Sequence, residues 1–233
     1  MYIPNHVNLT NLRSAWVGHI PFGYDLIRGL KPDKVVELGT HYGGSYFTFC
    51  DSVRKHNLRT QCFAVDTWQG EEHAGFYDER VFDFVSKQNQ VYKEFSSLLR
   101  TTFQDAVQSF EDNCVDLVHV DGFHSYEAVL NDYETWKPKL TINGCMLFHD
   151  VAVHQPGFGV HKFWKELMNE YPNQCFNFDH SHGLGVFFNS NSVHINNRLT
   201  SLTGIQFDKM KKHYERRANF LKYALKFKGI FVS

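Results

Sequence analysis

Residues 35–44 read VVELGTHYGG, an apolar run that ends in a carboxylate, Glu37, and then breaks into glycines. A strand running into a glycine loop and then a helix ordinarily holds a nucleotide-like ligand. Most such loops cradle phosphate, but a carboxylate two residues before Gly39 would repel one. The loop G-T-H-Y-G-G also has one residue too many for the G-x-G-x-x-G dinucleotide fingerprint. The stretch therefore asks for a ligand that tolerates negative charge.

Apolar and amphipathic segments alternate on both sides of it. Strands are predicted at 33–40, 60–68, 114–122 and 144–151, and two late ones within 175–189. Helices are predicted at 44–57, over most of 78–99, at 125–140 ended by Pro138, and at 159–172. Strands separated by helices specify βαβ units, hence a mostly parallel sheet with helices on both faces. The reading is an N-terminal helical lid segment (1–30), a core (31–190) and a C-terminal helical extension (191–233) whose basic helix is a solvated, packed one.

The composition sets bounds. The 233 residues are 42% hydrophobic, enough for one substantial core. The net charge of −1 makes no electrostatic case for nucleic acid or an anionic membrane as main partner. No apolar stretch approaches the ~20 residues of a membrane span, and the N-terminus lacks a basic region followed by an apolar one. Cys50, Cys62, Cys114, Cys145 and Cys175 show no CxxC spacing and read as reduced thiols of a cytoplasmic protein. Aromatics at 16% and 14 histidines suit a pocket for polar, ring-shaped molecules.

The strand ends carry the chemistry. Glu37, Asp66 and Asp121 end three strands and His149-Asp150 a fourth, and in an open α/β sheet ligands bind beyond those ends. One such acid is usually a helix cap; four in sequence are a site. S-adenosylmethionine fits the charge pattern, with an ammonium for Glu37 and ribose hydroxyls for Asp66.

E-L-G-T-x-x-G-G-S (37–45) resembles motif I of class I S-adenosylmethionine-dependent methyltransferases. Together with FAVDTWQGEEHAGFY, VDLVHVDGFHSYEAVLNDYETWKPKL, GCMLFHDV and SHGLGV, it resembles the subgroup linked to O-methylation of bacterial surface polysaccharides, sometimes fused to glycosyltransferases. The resemblance covers roughly residues 14–188, and D-G-x-H-x-Y and F-H-D are its most specific elements. It implies a Rossmann-like seven-stranded sheet with a C-terminal antiparallel hairpin. It also implies a cofactor site of Glu37, Gly39, Thr40, Gly43, Ser45, Asp66 and Asp121, with Gln104 in the loop that meets adenine and Phe103 and Trp68 flanking it. A homo-oligomer or an association with glycosyltransferases is left open.

Methyl transfer is an in-line displacement that needs an aligned oxygen and a sink for its proton. Similarity to catechol-type enzymes places a divalent cation, magnesium or manganese, on Asp121 and Asp150. The third ligand of those enzymes is replaced here by Val151, so His149 or His182 would have to substitute. His124, three residues beyond Asp121, is the expected base, with His149 as rival or supporting partner and Asp121 beside them. Trp16 and His19, before the first strand, are expected to face cofactor or a sugar ring, and His182 the acceptor. The reading is an O-methyltransferase acting on a sugar hydroxyl of a surface glycan, its precursor or a glycosylated metabolite. Its rivals are a non-glycan (for example phosphorylated) small-molecule acceptor, an NAD-dependent oxidoreductase, and a non-catalytic cofactor-binding domain of a glycan-assembly complex. Glu37 and the long loop oppose the oxidoreductase, and the clustered strand-end residues oppose the non-catalytic domain.

Overall fold

The structure, a computed structural model, describes residues 15–71, 75–76, 78–190 and 194–227. In chain order the elements are α1 (Ile20–Leu30), β1 (Lys34–Leu38), α2 (Gly44–Lys55), β2 (Gln61–Asp66), β3 (Gly70–Glu71) and β4 (Gly75–Phe76). There follow α3 (Glu79–Asn89), β5 (Ser96–Arg100), α4 (Phe103–Ala106), β6 (Val115–Val120), α5 (Tyr126–Trp136) and β7 (Leu140–His149). The chain continues through α6 (Val160–Glu170), β8 (Cys175–Phe178), β9 (Leu184–Phe188), α7 (Ile195–Thr203) and α8 (Phe207–Phe227).

Seven strands form one sheet in the order β5-β2-β1-β6-β7-β9-β8. β5, β2, β1, β6 and β7 are parallel, while β9 runs antiparallel to both β7 and β8. This is the Rossmann-like methyltransferase arrangement the sequence leads one to expect. Leu38 pairs with Val65 and Val120, and Val120 with Phe148. The carboxyl ends of the four central strands therefore stand level, which puts Gly39, Asp66, Asp121 and His149 along one edge.

Successive side chains of a strand face opposite sides, so the buried sheet feeds two cores. Val35, Leu117 and Leu147 join Trp16, Ile20, Phe49 and Tyr214 on the face covered by α1, α2 and α8. Val36, Val118 and Met146 join Trp136, Phe163 and Trp164 under α5 and α6.

Two expectations need correction. Residues 78–99, read as largely helical, hold α3, a short 3-10 turn at Gln90–Tyr92, and then β5. β5 lies at the edge of the sheet and pairs only with β2. Its sequence, SSLLR, lacks the apolar alternation of a strand, and the free edge of β2 decides its conformation. The fourth strand begins at Leu140, not 144, and stops at His149, since Asp150 turns the chain at φ +62. The N-terminal segment, where described, packs into the core. Ala15–His19 forms a 3-10 turn leading into α1, and Trp16, Val17, Ile20 and Leu26 are buried in the core. Residues 1–14 of that segment, and 191–193 and 228–233 of the C-terminal extension, lie outside the described residues.

Candidate active site

The glycine loop is held by backbone and by Asp66. Gly39 sits at φ +88, and a Cβ on it would stand 2.1 Å from the carbonyl oxygen of Asp121, so the ends of β1 and β6 touch only because this residue is glycine. Gly39→Ala is expected to lower stability by roughly 1–3 kcal/mol, measured by denaturant unfolding; an unchanged midpoint would mean that the loop yields freely. Gly43, at φ +78, turns the chain into α2, and its amide donates to the Thr40 carbonyl oxygen at 2.7 Å. Thr40 and Ser45 are buried beside it.

The Asp66 carboxylate accepts from the backbone amides of His41 at 2.9 Å and Trp68 at 2.7 Å. It is only part-buried, so it can still meet a ligand. Trp68, expected to flank the cofactor, is fully buried instead: its indole donates to the His41 carbonyl oxygen at 2.9 Å and packs on Phe82 at 5.0 Å. It braces the loop from beneath. Phe103 is half-buried and Gln104 exposed at the start of α4.

Glu37 points into the protein interior. Strand alternation turns it to the side of Val35, where it is fully buried and accepts a hydrogen bond from His119 Nδ1 at 2.8 Å. The far nitrogen of His119 accepts from the Trp16 indole at 3.0 Å. Burial pushes the Glu37 carboxyl upward, and His119 and Ser45 pull it back. The partner wanted by the negative charge is thus a histidine of the protein, which the sequence reading missed. A histidine at the in-facing position of VDLVHV was the available signal.

Past β6 and β7 five side chains converge. Asp150 Oδ2 lies 3.0 Å from His124 Nε2 and 3.1 Å from His149 Nδ1, and its Oδ1 lies 3.1 Å from His182 Nδ1. His149 Nδ1 is also 3.3 Å from Asp121 Oδ1. Burial opposes charge on both carboxyls and on His149. The mutual attraction wins: His149 rises to about 10, and Asp121 and Asp150 are held below the usual carboxylate range. The two carboxylates favour the charged form of His149, which bridges them. His124 is stacked on Phe158 (4.7 Å between centroids, 21° between planes), and its carbonyl oxygen accepts from the Gly159 amide at 2.7 Å.

The family described as "Methyltransferase domain" matches residues 36–151, from β1 to just past β7. Residues 36–151 thus resemble a methyltransferase domain. An uncharacterized protein, y4gI, of Sinorhizobium fredii is 53% identical over 175 residues, which are 75% of this chain but only 19% of that protein. The chain thus spans about a fifth of that relative. Among solved structures, TomG, an O-methyltransferase of Streptomyces achromogenes bound to S-adenosylmethionine, superposes with a TM-score of 0.56. It is 14% identical, over 81% of this chain and 92% of TomG. PaMTH1, a methyltransferase of Podospora anserina bound to S-adenosylhomocysteine, gives 0.53 at 16% identity, over 72% and 76%. At such identities the likeness is one of fold.

Within the methyltransferase domain the remaining expected residues divide. Asp121, His124 and Asp150 each offer a ligand atom, and these atoms lie within 4.8 Å of one another. Two carboxylate oxygens and an imidazole nitrogen are a donor set that divalent cations accept, so the cluster fits such an ion. Val151 itself is buried. His182 stands at the mouth with an exposed ring. Trp16 and His19 face no cleft: both are fully buried, with His19 Nε2 donating to the Ser181 carbonyl oxygen at 3.1 Å. Burial, then the nearby His149 and His180, keeps His19 well below the ordinary histidine range, hence neutral.

Proposed function

We propose that the protein is an S-adenosylmethionine-dependent O-methyltransferase whose acceptor is a sugar hydroxyl of a surface glycan, its precursor or a glycosylated metabolite. The observation that carries the reading is the convergence of Asp121, His124 and Asp150 beside the glycine loop. Methyl transfer forms an oxygen–carbon bond, breaks the sulfur–carbon bond and releases the hydroxyl proton. Asp66 takes the ribose hydroxyls on the rim it already shares with the His41 and Trp68 amides. His124 takes the proton, its ring held in place by Phe158. His149 keeps Asp121 and Asp150 charged and parallel. Asp121 and Asp150 would hold a divalent cation, which supplies Lewis acidity at the acceptor oxygen when bound.

A second reading of His124 is favoured by the 3.0 Å between its Nε2 and Asp150. There it completes the ligand set instead of taking the proton. Titration of manganese into the protein, followed by electron paramagnetic resonance, separates the two. His124→Ala leaves manganese affinity nearly unchanged if the ring is the base, and weakens it tenfold or more if the ring is a ligand.

The sugar acceptor rests on the motif resemblance and on the aromatic content, and the non-glycan acceptor remains its alternative. A length of which this chain is a fifth leaves room in y4gI for companion domains, in keeping with association with glycosyltransferases. Among the described residues no helix is long and apolar enough to cross a membrane, and a cytoplasmic site of action is part of the proposal. The test is incubation with methyl-labelled S-adenosylmethionine and a panel of nucleotide sugars, glycan oligomers and phosphorylated metabolites, read by mass spectrometry. Label on a sugar oxygen supports the reading; label on another acceptor class alone overturns the glycan part.

Cofactor binding is tested separately. Asp66→Asn removes one charged acceptor at nearly constant shape, and S-adenosylhomocysteine affinity should drop by about 1.5–3 kcal/mol in titration calorimetry. Unchanged affinity would place the ribose elsewhere.

A further inference from the structure

The outer face of α8 belongs to none of the groups above. The helix is buried on the core through Met210, Tyr214, Leu221 and Leu225. On a helix that otherwise meets only water, the opposite face should be polar throughout. Instead Phe220, Tyr223 and Phe227 stand there 50%, 68% and 85% exposed. They continue a line begun by Lys212 and Arg216, both exposed, at spacings of four, four, three and four residues. Such spacings keep side chains on one stripe of a helix, here roughly 22 Å long.

The charge is segregated as well. α8 carries seven Lys and Arg against two acids. The whole chain has 24 against 25, which leaves 17 basic residues facing 23 acidic ones elsewhere. The net charge of −1 thus conceals a basic helix on an acidic body. Lys211 and Arg217 pair with Asp179 and Asp25, whereas Lys212, Arg216 and Lys226 stay exposed. The aromatic end of the stripe lies toward the mouth of the candidate site. Lys222 Nζ, next to Tyr223, donates to the Ser181 hydroxyl at 3.3 Å, and the following His182 meets Asp150.

A basic stripe that ends in aromatic rings matches the boundary of an anionic bilayer. There cationic groups meet phosphates, and aromatic rings sit at headgroup level. A flat lipid surface also accepts a straight row of side chains on a convex helix, with no groove to receive it. We infer that the exposed face of α8 docks the protein on an anionic lipid surface. Phe220, Tyr223 and Phe227 enter the headgroup layer, and Lys212 and Arg216 meet lipid phosphates. Docked so, the site stands beside lipid-linked precursors of the proposed glycan acceptor; the docking itself does not depend on that acceptor.

Co-sedimentation of the full chain with phosphatidylcholine vesicles, with and without phosphatidylglycerol, tests this. Affinity for the anionic vesicles should be about tenfold or more the higher at low salt, and should weaken as salt rises. The triple variant Phe220→Ser, Tyr223→Ser, Phe227→Ser should lose about tenfold or more of it. The double variant Lys212→Glu, Arg216→Glu should lose a similar factor. All five positions are exposed, and cooperative melting shows that each variant is folded. Equal affinity of wild type for both vesicles, or unchanged affinity in either folded variant, overturns the inference. So does a dimer that binds no vesicle and that the triple variant splits, which gives the face to a second copy of the chain. The assay contains neither cofactor nor acceptor, so its failure leaves the proposed activity standing.

Discussion

Replacing His124 with alanine should lower kcat by about 10²-fold or more, while S-adenosylhomocysteine affinity stays nearly constant. The ring touches the reaction end of the site and not the glycine loop. Its Nε2 stands at the Asp121–Asp150 cluster, and Phe158 and the Gly159 amide hold it from behind. His149→Ala should also lose activity, but by a different route. Removing a protonated side chain that binds two carboxylates leaves them to repel each other, so stability falls along with kcat. Steady-state rates at saturating cofactor, paired with unfolding curves, separate the two variants. A nearly normal His124→Ala enzyme beside a stable but inactive His149→Ala enzyme would reverse the assignment.

Relative to Asp132→Asn, wild-type stability should fall as pH rises from about 4 to about 7. The folded-state pKa of Asp132, about 7, lies above the ordinary value of 3.8, with burial as the cause. A carboxyl raised by folding binds its proton more tightly in the native state. Its contribution is complete below 3.8 and lost as pH climbs through about 7. A shift of this size corresponds to roughly 4 kcal/mol. Urea unfolding of wild type and Asp132→Asn between pH 4 and 8 measures it, with the variant the more stable protein at pH 8. Parallel curves would mean that the carboxyl is solvated or paired in solution. Other titrating groups add their own slopes, which the subtraction removes.

The strand-end acids and the two most specific motifs were legible because their signals are local. VVELG, FAVD, VHVD and LFHD each carry their own apolar run and terminal acid, and parallel pairing in register then brings those ends level. D-G-x-H likewise fixes His124 one short loop beyond Asp121. Side-chain direction was also written there for Glu37, since a residue two after Val35 faces the same way. The charge itself drew the reading toward a ligand.

What the sequence by itself determined is the alternation of strands and helices, the parallel sheet with its late hairpin, and which acids and histidines stand at its ligand edge. All of these follow from periods of two and 3.6 residues and from spacings of a few positions. The tertiary structure alone decided the pairings across tens of residues. Glu37 is hydrogen-bonded by His119, 82 positions away, and Trp16 is claimed by the same histidine across 103. SSLLR becomes a strand because β2 offers an edge. Asp150 gathers three imidazoles, one from the end of β7 and two from loops, and the Asp132 carboxyl comes to rest beside Gly122. Such contacts depend on which surfaces packing brings together, and no local pattern of residues encodes that.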